Sequence, residues 1–341
     1  MFLSSVTMLV FSLAILSPLN GQERQESCSN AYPAFDRLAV NERGMMGYVD
    51  SLGRTVIDYK FYYVSQFREG LASVQVERNG KDGYVDTDGK LVIEPQFDWA
   101  FPFFEGRAQV QVNRKWGYID RTGKLVVSPQ FELCDNFHEG LAAVRVSGKW
   151  GYIDASGVLV IAAKFEQANR FSEGLACVVR NGVLGYIDKS GRWLIRPSFE
   201  TFPSLTDLLL EANFSEGFAV IRQAGRYGYI DRSGRIIIAP QFEKAQSFSE
   251  GLASVTVNGK AGYINKNGEF LILPRFDAAR TFSGGRAAVL VGRKWGYINT
   301  YGQLVIPAQF EGAERFSCGL AQVTEVTPHW FYVDADGNHI W

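Results

Sequence analysis

The 341-residue chain repeats itself. A Gly-Tyr pair recurs at Gly47, Gly83, Gly117, Gly151, Gly185, Gly228, Gly262 and Gly296, and Phe331-Tyr332 holds the ninth place. The steps between these positions are 36, 34, 34, 34, 43, 34, 34 and 35 residues. A fixed period of this size means that one small supersecondary unit recurs. Such a unit cannot bury both of its faces alone, so its neighbours must supply the core.

One unit, read from Phe137, divides into three strands and a connector. Leu141 to Val146 alternates Ala142, Val144 and Val146 with Ala143 and Arg145, which predicts a strand with one buried face. The same A-x-V-x-V face returns at Ala72, Ala108 and Ala253. Ser147-Gly148 turns the chain into a second strand, Lys149 to Asp154. Asp or Asn then stands three residues before Gly in every repeat, as in Asp120/Gly123, Asp154/Gly157 and Asn299/Gly302. This is the chemistry of a type I turn closed by a left-handed glycine, with the carboxylate accepting local amides. An unbroken apolar triplet follows, such as Leu91-Val92-Ile93 or Leu159-Val160-Ile161. Its lack of alternation predicts a third strand buried on both faces.

The connector in its fullest form is P-x-F-[DE]-x-A-x-x-F-x-E-G, as at Pro240 to Gly251. Its two Phe residues, for example Phe131/Phe137 and Phe276/Phe282, are expected to pack between neighbouring units. Together these features predict an all-β fold of tandem ~34-residue repeats of three-stranded meanders. The expected arrangement is an open β-solenoid. The alternative is a β-propeller, whose blades usually have four strands in ~40 or more residues.

Lys115-Trp116-Gly117-Tyr118-Ile119-Asp120 returns at Lys149 to Asp154 and at Lys294 to Asn299. This motif resembles the WG (KWG) repeat family of bacterial proteins, over roughly residues 35–341. Trp is replaced by Met46, Asp82, Leu184, Tyr227 and Ala261 in other repeats. The resemblance implies a β-rich repeat protein and supplies no catalytic activity to transfer. The Trp/Tyr-rich hairpins are also distantly similar to cell-wall-binding repeats, whose units are shorter.

Two segments depart from the repeat. Met1 to Gln22 carries no charged side chain, and Val6 to Leu16 is an apolar core too short to span a bilayer as a helix. Residues 1–21 read as a signal peptide cleaved after Gly21, and 22–34 as a linker, with nine repeats in 35–341. The expected location is periplasmic, cell-surface or extracellular; the alternative is an anchor formed by an uncleaved N-terminal segment. The second departure is the 43-residue step, which places an insertion at 201–213. Pro203 to Glu211 reads as a short helix capped near Ser204 or Thr206, expected to be a surface insertion whose leucines fold back on the core; the alternative is a protruding contact element. A smaller lengthening at Glu77 to Lys81 reads as a longer hairpin loop.

Charge and motifs exclude several function classes. There are 35 basic and 36 acidic residues, so no basic footprint for nucleic acid exists. No G-x-S-x-G, H-E-x-x-H, Walker A or G-x-G-x-x-G occurs. His138, His329 and His339 occupy unrelated repeat positions, and His138 reads as an exposed turn residue. Asp86-Thr87-Asp88-Gly89 and Asp334-Ala335-Asp336-Gly337 fit the hairpin rule rather than a calcium loop. Glu139 and Glu173 before Gly, and Glu132, Glu166 and Glu243 after Phe, recur too uniformly for a single catalytic pocket and are expected to satisfy turn amides. Cys28, Cys134, Cys177 and Cys318 fall in four different phases, which excludes a repeated disulfide framework; Cys177 is expected to be the accessible thiol. No catalytic, cofactor or metal residue is assigned. The expected function is a non-catalytic exported scaffold that binds protein at the cell envelope. The alternative is a cell-wall or glycan-binding module that uses the recurrent Trp and Tyr.

Overall fold

The computed structural model describes residues 38–42, 44–50, 52–326 and 329–340. The expected signal peptide and linker lie outside them. The described residues are β-strands and turns with one short helix, α1 (Leu205–Glu211). They fall into two compact units. One runs to Asn181 and includes Gly185–Trp193; the other comprises Gly182–Leu184 and Leu194–Ile340. We call them the N-terminal and C-terminal units.

Antiparallel sheets recur along the chain. One holds Tyr63–Val64, Leu71–Gln75, Asp82–Asp86 and Leu91–Phe97 in sequential order. The same order recurs over 99–131, 133–165, 244–276 and 278–310. None of the described sheets closes on itself as a barrel. The three-stranded unit expected from sequence therefore gains a fourth strand. It is two residues long, as at Trp99–Ala100, where Ala100 lies opposite Val110. Two residues carry no alternation to read.

The Gly-Tyr pair explains how the sheets hold together. In the middle strand of one sheet, Trp116 pairs with Phe131 but Tyr118 pairs with Val127, so the third strand bulges against Gly117. The approach leaves no room for a side chain. A Cβ on Gly262 would lie 2.5 Å from the Ile272 carbonyl oxygen and 2.7 Å from the Pro274 nitrogen. Proline is tolerated at that place in an edge strand, and Ala163 and Ala308 fill it against Gly151 and Gly296. The adjoining Tyr is buried and its hydroxyl crosses to the next sheet. In the N-terminal unit Tyr84 Oη donates to the Phe101 carbonyl at 2.7 Å and Tyr152 Oη to that of Asn169 at 2.7 Å. In the C-terminal unit Tyr263 bonds Arg280 at 2.7 Å and Tyr297 bonds Glu314 at 2.6 Å. Each ring also meets the second Phe of the following connector: Tyr84 and Phe103 at 5.1 Å, Tyr263 and Phe282 at 4.8 Å. The connector phenylalanines thus pack between repeats as expected.

The hairpins follow the predicted chemistry. Asp120 Oδ1 accepts from the amides of Thr122 and Lys124, and Gly123 takes φ +85°. That glycine also makes room for the preceding repeat: a Cβ on Gly123 would lie 2.9 Å from Ile93 Cγ2. This contact corrects the reading of the apolar triplets. Ile93 and Ile161 are buried, but Val92, Leu159 and Val160 are exposed. The third strands of the three- and four-stranded sheets lie at the edge, so in their triplets only the residue beneath the neighbouring hairpin glycine is covered.

First strands differ in the opposite sense. Ala142, Ala143 and Val144 are all buried, while Val146 near the turn is exposed. These strands lie inside their sheets and are covered on both faces. Leu175 to Val179 is buried throughout, so Cys177, 2% exposed, is not the accessible thiol expected from its parity. Cys134 and Cys177 are free thiols that burial pushes well above the usual range, and Cys318 is disulfide-bonded. The insertion forms α1 with Ser204 as its N-cap, Oγ accepting from Asp207 N at 3.0 Å. Leu208 turns into the core. The Glu77–Lys81 stretch is the longer hairpin loop expected, closed by Gly80 N on the Glu77 carbonyl.

Two substitutions separate these roles. Tyr263→Phe leaves the Arg280 carbonyl without its buried donor and lowers stability by about 1–3 kcal/mol. Gly262→Ala forces backbone apart and costs at least as much as overpacking a core, about 1–3 kcal/mol. Urea unfolding followed by tyrosine and tryptophan fluorescence measures both, and unchanged midpoints would contradict the assignment.

Candidate functional site

The recurrent acids form structural ladders. In the N-terminal unit Glu105 accepts from the amides of Glu139 and Gly140 in the next repeat, at 2.7 and 2.9 Å. Glu139 in turn accepts from Gly174 N at 3.0 Å. In the C-terminal unit Glu216 bonds Gly251 N and Glu250 bonds Gly284 N and Gly285 N. The glutamate itself has a left-handed backbone, φ +51° at Glu105, which aims its carboxylate at the following turn. The second set of acids closes the hairpin inside its own repeat: Glu243 accepts from Asn258 N and Gly259 N. Both sets thus satisfy turn amides, as the sequence suggested.

A surface groove recurs beside these turns. In the N-terminal unit it encloses 570 Å³ and is lined by Arg107, Lys124, Leu125, Val126, Ala155 and Ser156. In the C-terminal unit it encloses 510 Å³ and is lined by Glu250, Gly251, Leu252, Leu271, Thr300 and Tyr301. Leu252, Leu271, Thr300 and Tyr301 each stand 145 residues after Arg107, Val126, Ala155 and Ser156. The two grooves are therefore the same place in the repeat: the residue after E-G, the apolar third strand, and the hairpin of the following repeat. Their chemistry differs. One carries two cations; the other exposes Leu271 (59%) and Tyr301 (84%) beside Glu250. Sequence reading missed the groove because it took the apolar triplets as buried. The variation of the residue after this turn, Leu in most repeats but Arg107, Phe218 and Arg286 in three, was its visible signal.

The connectors carry the buried polar chemistry. His138 is buried, not an exposed turn residue. Its ring lies 5.6 Å from that of Phe104, over which the Arg68 guanidinium sits at 4.5 Å. Burial holds the imidazole down at about 2, and Arg170 and Arg68 add to the effect. In the C-terminal unit Ser215, Ser249 and Ser283 fill that column and donate to the Phe248, Phe282 and Phe316 carbonyls. His339 stacks on Phe331, and the side chain of His329 lies outside the described residues. Among the described residues no set of three His, Cys, Asp or Glu side chains is placed to hold a metal ion. No helix among them is long and apolar enough to cross a membrane. The motif tryptophans do not form an exposed ladder: Trp116 is buried, and Trp150 and Trp295 pack partly buried against core clusters.

Glu211, at the end of α1, accepts from Ser247 N at 2.6 Å and Ser247 Oγ at 3.1 Å. Burial pushes its carboxyl up to about 7; the Ser247 bonds and Arg315 oppose this, and Asp207 adds to it. A carboxyl raised on folding stabilises fully below its unfolded value and loses that contribution as pH rises through about 7. Glu211→Gln is therefore expected to match the parent protein at pH 4, below the ordinary carboxyl value of 4.5, and to exceed its stability at pH 8 by about 1–3 kcal/mol. Urea midpoints at the two pH values test this; an equal difference at both would refute it.

The family model described as WG containing repeat matches residues 46–81, 83–116, 116–150, 150–183, 227–260, 262–295 and 295–325. It passes over the repeat that carries α1. No curated protein sequence matches the chain. Among solved structures, the chain is similar to one titled crystal structure of the eukaryotic initiation factor, at 11% identity and a TM-score of 0.63, covering 90% of this chain and 95% of that one. It is also similar to Hsv2p of Kluyveromyces lactis (11% identity, TM-score 0.42, 70% and 93% covered). Virginiamycin B lyase from Staphylococcus aureus follows at 14% identity, TM-score 0.36, with 70% and 91% covered. At these identities the first likeness is one of fold alone, and the other two carry no argument. The seven repeat matches cover more than half of the residues, and the chain belongs to the WG repeat family.

Proposed function

We propose that this WG repeat protein is a non-catalytic, exported scaffold that binds protein partners along its recurrent surface groove at the cell envelope. The observation that carries the reading is the groove itself, present in both units at the same repeat position with different side chains. Repeats that share a skeleton and vary one exposed position suit recognition by several contacts at once. The exposed apolar side chains beside it support the same reading, since contiguous apolar surface marks protein contact sites. Leu271, Leu273 and Tyr301 are 59, 70 and 84% exposed in the C-terminal unit. The recurrent acids are engaged by turn amides, which speaks against a hydrolase using an acid pair. The apolar Val6 to Leu16 segment supports export. The glycan alternative draws no support from the motif tryptophans, which pack against the core.

The test places photo-reactive benzoylphenylalanine at Tyr301, and separately at Arg78 in a hairpin away from the groove. Irradiation of intact cells is expected to join the Tyr301 variant to a discrete protein in the envelope fraction. Leu271→Ser in the same chain abolishes that product, and the Arg78 variant does not give it. Products independent of position, or co-sedimentation with cell-wall material that soluble sugars compete away, would overturn the reading. Mass analysis of the secreted chain is expected to find Gln22 at its start.

A further inference from the structure

We propose that the groove of the N-terminal unit docks an extended acidic segment of a partner protein. A carboxylate would meet Arg107 and Lys124, and an apolar side chain would lie on Leu125 and Val126. This rests on the reading of the recurrent groove as a protein-binding surface and names the chemistry of one partner. The groove is an open depression of about 570 Å³. Its lining holds two cations and no carboxylate. Neither cation is required by the fold. Leu71, Leu141, Leu175, Leu252 and Leu320 fill the place of Arg107 in five other repeats, Phe218 and Arg286 fill it in two more, and Glu269 fills that of Lys124 in the C-terminal unit.

Arg107 Nη1 donates to the Gly106 carbonyl at 3.0 Å. Asp120, within its electrostatic reach, accepts at Oδ1 from Thr122 N, Thr122 Oγ1 and Lys124 N, and Glu69 accepts from Gly106 N. A guanidinium, a lysine in the same lining and an exposed Leu125 favour an anionic group flanked by apolar surface. In the C-terminal unit Leu252 and Glu250 occupy the lining, which disfavours the same ligand. The two grooves would therefore select different segments.

The test uses the full chain and two rhodamine-labelled peptides, one alternating Asp with Leu and Phe, the other with Asn in every Asp place. Anisotropy is expected to show at least tenfold tighter binding of the acidic peptide, weakening as salt rises. In the Arg107→Leu/Lys124→Gln double variant that preference disappears, with the circular dichroism melt unchanged. Arg107→Leu alone restores the residue of five other repeats and guards against misfolding. Equal binding of both peptides, binding of neither, or undiminished acidic preference in the double variant would overturn the inference. Loss of acidic preference with retained cross-linking at Tyr301 would leave the scaffold reading intact, so the two failures are distinguishable.

Discussion

A recurrent buried hydroxyl ties repeat to repeat. At Tyr48, Tyr84, Tyr118, Tyr152, Tyr229, Tyr263 and Tyr297 the Tyr of the Gly-Tyr pair donates to a carbonyl 17 residues ahead, in the next sheet. The bond needs the ring to be deep, and the ring is deep because the glycine beside it lets the bulged third strand close in. A buried carbonyl without that donor would lose a hydrogen bond that water cannot replace. The ring's contact with the following Phe adds apolar burial and an aromatic pair at the same point. Glycine, tyrosine and phenylalanine are thus one interlock spread over two repeats, which is why they recur in phase.

The interlock leaves function to other positions. Both series of acids hold turn amides, so their repetition is structural. Variation is concentrated where a repeat does not need a given residue. The place after E-G takes Leu, Arg or Phe, and the hairpin tip takes Ser156 in one repeat and Tyr301 in another. Those places line the grooves. A uniform skeleton with a variable lining is how a repeat protein distributes recognition over its length.

Much of this was legible in the sequence. The strands Leu141–Val146 and Lys149–Asp154 fall where alternation and turn residues place them. The left-handed glycines and the capped insertion helix also follow local rules. What local pattern could not supply was the position of a strand within its sheet. An unbroken apolar triplet is the same string in a central strand or at an edge, so the exposure of Val92 and Leu159 was missed, and the grooves with it. Cys177 was misplaced for the converse reason, because parity along one strand says nothing of a neighbouring sheet that covers its second face, and His138 because a variable place in a turn need not be an exposed one. Two-residue strands such as Leu133–Cys134 are set by tertiary pairing and have no pattern of their own.

The central claim is that the tyrosine bond couples one sheet to the next. Hydrogen exchange of Tyr118→Phe against the parent protein tests it most directly, because Tyr118 lies in the sheet over 99–131 and its acceptor, Asp135, leads into the sheet over 133–165. The account predicts faster exchange in both sheets, with amides of 244–310 unchanged. Faster exchange confined to 99–131 would contradict it.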